Sequence, residues 1–460
     1  MKWVGIFLLL LLVSVVHGQE FRPGVINPHV AVASDASQSY ALYLPKDYSP
    51  KKRWPIIYAF DPLGRGQVPV ERFSEAAERF GYIVVGSNNS RNGLPGMAIG
   101  NSIEALWKDS HARLAIDEKR IYAAGFSGGA RVANRLASSC GDCIAGVISC
   151  GAGFPPEVTP SNKLTYAFFG TIGIDDFNFR EMRTLSRLLD SLGWANQTET
   201  FAGLHQWLPK ELAVDALEWM DLQAMKSGRR ERDQKFIEDF FTAQLDRVQK
   251  LSLPVELVDR YLALGDLVVN FKPVRDVAAP EAELRALESS KELKSALADE
   301  KRQMEKEQTL AQQIVGLRNG LLSSETHNDA LKEIRDQLAT LQRQSQETVD
   351  SSNRRVARRA LGQIFAETLE TALFIHEPQK KFDLAIANLE LAAQVYPAQT
   401  WAEYELARAF AMDGRKDLAL DTLERVVKKG FGNRAALESE VVFASLRSGE
   451  RFKRILDSMK

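Results

Sequence analysis

The chain has 460 residues, of which 45% are hydrophobic and 26% are charged, and its formal net charge is −1 at pH 7. This length and composition are typical of a globular protein with two or three domains. The near-neutral charge gives no sign of nucleic-acid binding or of a polybasic membrane anchor, so both classes of partner are excluded from the prediction.

The first 18 residues predict a cleavable signal peptide. Lys2 precedes an apolar run from Val4 to Val16, and the small residue Gly18 follows. The run is too short to span a bilayer of about 30 Å. We therefore expect a secreted or periplasmic protein that has no integral membrane segment once residues 1–18 are removed.

The sequence from residue 40 to residue 220 alternates short apolar runs with amphipathic runs. The strand candidates are Ser39–Leu44, Pro55–Phe60, Tyr82–Gly86, Arg120–Ala124, Ile144–Cys150, Thr165–Gly170 and Thr198–Phe201. The helix candidates are Val70–Phe80, Ile103–Leu114, Gly128–Ala137, Arg180–Leu192 and Glu211–Met225. This alternation predicts an α/β domain with a mostly parallel, buried sheet over residues 19–228.

The three cysteines all lie inside this domain. Cys140 and Cys143 can form a short-loop disulfide or remain two thiols, and without a nearby His they do not make a zinc site. Cys150 ends an apolar run and is expected to face the core. No metal or organic cofactor is predicted.

After residue 228 the strand pattern ends and helix-forming residues dominate. Residues 229–355 are predicted to be a helical linker or hairpin region, because two apolar stripes recur there at helical spacing. The stripes are Leu310, Ile314, Leu317 and Leu321, and then Leu331, Ile334, Leu338 and Leu341. An internal helical hairpin is the favoured interpretation, and a coiled coil with a partner is the alternative.

Residues 356–460 contain an internal repeat of 34 residues. Ala385, Leu389, Ala392 and Pro397 are followed 34 residues later by Ala419, Leu423, Val426 and Phe431. The period, with small residues where two helices would approach, resembles the tetratricopeptide repeat. The resemblance implies helix pairs that either bind a protein or peptide partner or cap the helical region.

The stretch GFSGG at residues 125–129 raises the question of function. It follows a strand candidate and opens a helix candidate, which is the context that a nucleophile elbow requires. Gly125 and Gly129 would then stand where a side chain would collide with its neighbours, and the Gly128 N–H would face the space above the Ser127 hydroxyl. The alternative is that Ser127 is only a small residue in a tight turn.

A serine nucleophile needs a base and an acid, and the sequence offers one of each in suitable loops. His205 follows the last strand candidate and precedes a helix, whereas the other five histidines lie in the signal peptide, before the sheet, before Ser127 or in the helical region. Asp175 and Asp176 follow another strand candidate and lie between Ser127 and His205. We favour Asp176 as the acid, with Asp175 as the alternative.

The order Ser127, Asp176, His205 is that of α/β-hydrolases. The stretches YALYLPKDY, IIYAFDPLGRG, GYIVVGSNNS, GFSGGA, GTIGIDDFN and GLHQW resemble the esterase branch of that superfamily, close to feruloyl esterases, polyhydroxybutyrate depolymerases and dienelactone hydrolases. The resemblance covers residues 38–225 and implies ester hydrolysis through an acyl-serine intermediate, without a cofactor, on a small-molecule or polymeric ester.

One stretch departs from that family. Phe60-Asp61-Pro62-Leu63-Gly64 replaces the His-Gly signature common after the third strand of esterases. An N–H group of Leu63 or Gly64 is expected to join that of Gly128 in binding the oxyanion.

Two other functions remain open, namely a serine peptidase with the same triad and a binding protein that keeps the fold without chemistry. A core ending near Ser227 contains every residue of the predicted chemistry. We expect it to hydrolyse a small ester without residues 229–460, which would govern the choice of a larger substrate or partner.

Overall fold

The structure is a computed structural model that describes residues 21–251 and 256–459. The predicted signal peptide lies outside these residues. Within the described ranges, no helix is both long and apolar enough to cross a membrane.

An eight-stranded sheet occupies the first part of the described chain. Its strands are β1 (Ile26–Val32), β2 (Asp35–Tyr43), β3 (Trp54–Phe60), β4 (Ile83–Ser87), β5 (Ile116–Phe126), β6 (Gly146–Cys150), β7 (Ala167–Gly173) and β8 (Asn196–Phe201). The spatial order is β1-β2-β4-β3-β5-β6-β7-β8. The pairs β1–β2 and β2–β4 are antiparallel, and the remaining pairs are parallel.

Four helices connect strands, and a fifth follows β8. They are α1 (Gln67–Phe80), α2 (Gly96–Arg113), α3 (Gly128–Ser139), α4 (Phe179–Ser191) and α5 (Lys210–Lys226). Every residue of β3 and β7 is buried, which explains why both strands are continuous apolar runs in the sequence. The predicted architecture, a mostly parallel, buried sheet followed by a helical region, is confirmed. The resemblance to α/β-hydrolases stays a prediction.

The sequence analysis did not predict β1. Its sequence INPHVAV carries Asn27, Pro28 and His29 in the middle, and its pairing with β2 is irregular between Asn27 and Val30. Proline is tolerated in a sheet at an edge or at a bulge, and β1 is an edge strand.

The rest of the described chain is helical. The helices are α6 (Gln234–Lys250), α7 (Leu257–Phe271), α8 (Ala278–Ser289), α9 (Lys291–Gly316), α10 (His327–Ser345), α11 (Ser352–Glu370), α12 (Phe382–Val395), α13 (Trp401–Met412), α14 (Lys416–Lys428), α15 (Arg434–Ser439) and α16 (Glu450–Asp457). Thr371–His376 extends α11 as a π-helical turn.

The two apolar stripes at residues 310–341 lie on α9, on the 3₁₀ segment Leu317–Leu322 and on α10. Ile314, Leu321, Ile334, Leu338 and Leu341 are buried in one cluster together with residues of α11. The predicted hairpin of α9 and α10 therefore packs with a third helix, α11, which contacts both apolar stripes.

Six of the eight repeat positions are buried, whereas Pro397 is exposed and Phe431 is partly exposed. Ala385, Leu389 and Ala392 of α12 and Ala419, Leu423 and Val426 of α14 belong to a single apolar cluster. The small alanines allow α12, α13 and α14 to pack closely. The likeness to a tetratricopeptide repeat stays a prediction.

The sheet and the first helices of the helical region share one hydrophobic core. Phe240 and Phe241 of α6 and Leu264 and Phe271 of α7 are buried in the same cluster as Trp219 of α5 and side chains from the sheet. Separating the chain into two pieces after residue 228 would therefore expose large apolar side chains of both pieces, although the chain at residue 228 is itself exposed.

Cys140 and Cys143 form a disulfide just after α3, and Cys150 is a free, buried cysteine at the end of β6. The expectation that Cys150 faces the core is thus confirmed. Burial raises the pKa of the Cys150 thiol to about 12, so this cysteine is a packing residue and not a nucleophile.

Candidate active site

Ser127 lies in a sharp bend between β5 and α3. Its φ and ψ angles are 53° and −121°, a conformation that side-chain-bearing residues rarely adopt. The bend is held by the Ser127 N–H, which donates to the carbonyl oxygen of Cys150 at 2.8 Å. The Ser127 side chain is thereby fixed at the carboxyl end of β5, where a parallel sheet presents its functional groups.

The two flanking glycines pack directly against backbone. A Cβ atom built on Gly125 would lie 2.1 Å from the carbonyl oxygen of Gly129, and one built on Gly129 would lie 2.0 Å from the carbonyl oxygen of Phe60. Neither carbonyl can move without breaking the sheet or α3. Glycine is therefore required at both positions for α3 to approach the sheet this closely.

Asp176 and His205 are joined at the same edge of the sheet. Asp176 follows β7 and His205 follows β8, and Nδ1 of His205 lies 2.9 Å from both carboxylate oxygens of Asp176. Asp176 is fully buried, and its Oδ1 also accepts the N–H of Asn178 at 2.8 Å. The carboxylate is thus fixed in position to hold one tautomer of the imidazole.

The His205 ring is packed between two aromatic rings. The ring centroids of Phe126 and Phe177 lie 4.6 Å and 4.2 Å from that of His205. A Cβ built on Gly151, directly after Cys150, would lie 3.2 Å from Cε1 of His205. Ser127 and His205 therefore both border the end of β6, where Phe126 pairs with Cys150.

The structure brings Asp176 and His205 into contact but does not join His205 to Ser127. Among the described residues, no hydrogen bond links the Ser127 hydroxyl to the imidazole. Nucleophile–base hydrogen bonds are often long before substrate binds and shorten in the complex. The assignment of Ser127, Asp176 and His205 as a triad stays a prediction.

Asp175 is hydrogen-bonded to the helical region and not to the imidazole. Its Oδ2 accepts a hydrogen bond from Nη1 of Arg358, on α11, at 2.7 Å, and the Asp175 side chain is almost completely buried. The two adjacent aspartates thus face different partners. The contact of Asp176 with His205 favours Asp176 over Asp175 as the acid.

The loop after β3 uses its N–H groups internally. The Leu63 N–H donates to Oδ1 of Asp61 at 2.9 Å, and the Gly64 N–H donates to the carbonyl oxygen of Asp61 at 3.0 Å. Both N–H groups have an acceptor inside the loop in this structure, and their expected role at an oxyanion stays a prediction. Gly128, the third expected donor, is the first residue of α3, where helical N–H groups have no partner in the preceding turn.

Asp61 connects this loop to the loop that carries His205. Besides Leu63, its buried carboxylate accepts hydrogen bonds from Arg65 at 2.9 and 3.0 Å and from the indole N–H of Trp207 at 2.9 Å. Trp207 is two residues from His205. The sequence marked Asp61 only as part of the departure from the His-Gly signature, and its contact with Trp207 appears only in the fold.

Asn92 is a second residue that the sequence analysis missed. Its N–H donates to the carbonyl oxygen of Pro62 at 2.9 Å, and its side chain lies against Gly128. Nothing in the run SNNSRNG distinguishes Asn92 from Asn88 or Asn89 without the fold.

The helical region borders the site through α11. Nε of Arg359 donates to the carbonyl oxygen of Ile174 at 2.7 Å, and Gly362 packs on Phe177. Farther along, Phe374 of the π-helical turn packs on Gly93. The acid loop and the loop of Asn92 are therefore both covered by the same continuous helical segment.

A cavity of about 440 Å³ opens between the two regions beside His205. Its walls are mainly apolar and include Phe177, Leu204, Leu361, Phe365 and Tyr396. The cavity thus has one wall from the loops of the sheet and one from the helices.

A buried ion pair lies behind the acid loop. Glu307 of α9 and Arg359 are both buried, and their side-chain N and O atoms approach to 3.9 Å. Burial raises the pKa of Glu307 to about 7 and lowers the pKa of Arg359 to about 10. Each charge costs desolvation free energy that the other only partly offsets.

No cluster of three or more His, Cys, Asp or Glu side chains suited to a metal ion occurs within residues 21–251 and 256–459. The chemistry available at this edge of the sheet is that of a hydroxyl, an imidazole and a carboxylate.

The chain matches no protein-family model and no curated protein. It is similar to the solved structure of S-formylglutathione hydrolase FrmB from Staphylococcus aureus, with 16% identity and a TM-score of 0.37 over 44% of this chain and 98% of that chain. It is also similar to Est1E from Butyrivibrio proteoclasticus, with 15% identity and a TM-score of 0.34 over 43% of this chain and 99% of that chain. A third similar structure is FphF, a fluorophosphonate-binding serine hydrolase of Staphylococcus aureus, with 15% identity and a TM-score of 0.37 over 43% of this chain and 98% of that chain. The likeness in fold extends over less than half of this chain.

Proposed function

We propose that the protein is a serine hydrolase that cleaves carboxylic esters through an acyl-Ser127 intermediate. The observation that carries this proposal is the contact between Asp176 and Nδ1 of His205 at the sheet edge where Ser127 occupies a strained bend. Strained backbone at a polar side chain is characteristic of functional sites.

In the proposed reaction, Nε2 of His205 takes the proton of the Ser127 hydroxyl as its oxygen attacks the ester carbonyl carbon. Asp176 accepts the Nδ1–H and stabilises the imidazolium that forms. The Gly128 N–H stabilises the negative oxygen of the tetrahedral intermediate. His205 then gives the proton to the departing alcohol, and a water molecule repeats the sequence on the acyl-enzyme to release the acid.

The cavity beside His205 supports a substrate with an apolar or aromatic group. Phe177, Leu361 and Phe365 are among its apolar wall residues, the Asp175–Arg358 ion pair also borders it, and about 440 Å³ is the size of a small-ligand site. Because α11 and Tyr396 form one wall, the helical region would select the substrate while the sheet performs the chemistry.

The disulfide between Cys140 and Cys143 supports export. Disulfides persist in oxidising compartments and are rare in the cytosol. Together with the sequence of residues 1–18, this supports a secreted or periplasmic location.

The test is hydrolysis of p-nitrophenyl esters, feruloyl esters and aminoacyl amides by the purified chain and by Ser127→Ala. Loss of a triad nucleophile lowers kcat by about a million-fold. Ser139→Ala, which changes an exposed serine at the far end of α3, is the matched control and should keep full activity. A Ser127→Ala protein that still hydrolyses esters, or that still reacts with a fluorophosphonate, would move the nucleophile elsewhere.

A further inference from the structure

We propose that the side-chain amide of Asn92 is the second hydrogen-bond donor to the oxyanion, alongside the Gly128 N–H. The inference rests on the proposed ester hydrolysis. A tetrahedral intermediate usually needs more than one fixed donor at its negative oxygen. In esterase-like folds, the second donor comes from the loop after the third strand. Here, the N–H groups of Leu63 and Gly64 in that loop already bind Asp61.

The position of Asn92 fits this role. A Cβ atom built on Gly128 would lie 1.9 Å from Oδ1 and 2.9 Å from Nδ2 of Asn92, so the amide rests on the Gly128 backbone. The N–H of that same residue is the other proposed donor. Glycine follows the nucleophile in this chain because the amide fills the space that any side chain would need.

The side-chain amide of Asn92 is also available for hydrogen bonding. Its side chain has no hydrogen-bond partner within the described ranges, whereas the nearby Asn89 is fully used. Oδ1 of Asn89 accepts the Ser39 N–H at 2.8 Å, and its Nδ2 donates to the carbonyl oxygen of Ser37 at 3.0 Å. Asn89 is therefore structural, and Asn92 keeps donors available at the edge of the site, where it is partly exposed.

The backbone of Asn92 is held from two sides. Its N–H is bonded to Pro62, and Gly93, which has a φ angle of 80°, lies against the ring of Phe374. A donor that is already in position does not need to reorganise when charge develops, which is the condition for strong oxyanion stabilisation. The helical region thus supports this donor without providing it.

The experiment compares Asn92→Ala and Asn92→Asp with the wild type on a small p-nitrophenyl ester. Asn92→Asp keeps the shape of the side chain but removes its N–H donors. We expect both variants to lower kcat by about 10²–10³-fold, with KM changed by only a few-fold and the melting temperature unchanged. Affinity for a trifluoromethyl ketone, which forms a tetrahedral adduct with serine, should fall in proportion to kcat. Asn92→Gln should recover part of the activity.

Asn89→Ala is the matched control. It removes two structural hydrogen bonds, so it should lower the melting temperature and leave kcat within a few-fold of the wild type. If Ser127→Ala is inactive but Asn92→Ala and Asn92→Asp retain wild-type kcat, the assignment of Asn92 is wrong and the proposed function stands. If Ser127→Ala is fully active, the proposed function itself fails.

Discussion

The sheet region and the helical region contribute to the candidate site in different ways. The sheet region presents Ser127, Asp176 and His205 at the ends of parallel strands, where the register of β5 to β8 fixes their relative positions. The helical region contributes no triad residue, but Arg358 and Arg359 of α11 bind the two residues before Asp176. The proposed chemistry and its structural support thus come from separate parts of the chain, and variants in the two parts should fail in different ways.

The strongest test of this comparison is to separate the regions. A chain that ends at Ser227 loses α6 and α7, whose phenylalanines and leucines belong to the core of the sheet. Each such side chain contributes roughly 1.5–3 kcal/mol when buried, so their combined loss is comparable to the whole stability of a domain. We expect no cooperative thermal unfolding by circular dichroism and no hydrolysis of a small ester.

A chain that ends at Ser289 keeps α6 to α8 and serves as the control. It should unfold cooperatively, because the shared core is retained. A cooperative, active protein ending at Ser227 would show that the two regions are independent, as the sequence analysis first expected.

Within the sheet region, the acid should have the largest effect after the nucleophile Ser127. Asp176→Asn removes the acceptor that holds the His205 tautomer and should lower kcat by about 10⁴-fold, as in other triads. Asp175→Asn breaks a contact with Arg358 instead, and should lower the melting temperature while kcat falls by less than about tenfold. Steady-state kinetics of the two variants decide the assignment, and the reverse pattern would make Asp175 the acid.

In the helical region, Arg359→Met should act on stability. The variant leaves the buried Glu307 without its partner, and an uncompensated buried charge costs about 3–5 kcal/mol. The double variant Arg359→Met, Glu307→Leu removes both charges and should recover most of that loss. Urea unfolding measures both, and equal stability of the single and double variants would mean that the pair does not interact.

Glu307 should also make the stability depend on pH. Its pKa is raised from 4.5 to about 7 by burial, so the folded state binds more protons than the unfolded state between these values. The free energy of unfolding should therefore fall as pH rises from about 4.5 to 7, by at most about 3 kcal/mol. Glu307→Gln should remove this slope, and an identical pH dependence of wild type and variant would exclude Glu307 as its source.

The smallest expected effect concerns the cavity between the regions. Tyr396→Ala removes a ring from the helical wall and so enlarges the cavity. It should raise KM for a bulky aromatic ester by about tenfold, because the lost apolar contact costs about 1–3 kcal/mol. KM and kcat for p-nitrophenyl acetate should stay within about twofold. Tyr404→Ala, which removes a ring stacked on Phe431 away from the cavity, is the control. A similar KM rise in both variants would mean that the cavity does not bind the substrate.

The sequence predicted those features that depend on local pattern. Continuous apolar runs identified β3 and β7, and the strand–turn–helix context identified the bend at Ser127. The edge strand β1 was missed because an edge strand tolerates polar residues and proline that mask the pattern.

Features that depend on distant pairing could not be read from the sequence. Asp175 and Arg358 are 183 positions apart, and no local periodicity links them. The use of the Leu63 and Gly64 N–H groups by Asp61 is turn chemistry, which a sequence allows but does not require. The approach of Asn92 to Gly128 appears only once α3 is packed on the sheet.

The conformation of Ser127 has a consequence for how this chain can evolve. A non-glycine residue in such a bend costs about 1–3 kcal/mol, which a glycine at the same position would largely avoid. Among descendants under selection for stability alone, replacement of Ser127 by glycine would thus be favoured. The serine persists against that pressure only as long as its hydroxyl is needed, so its retention in a lineage would record continued selection for the reaction itself.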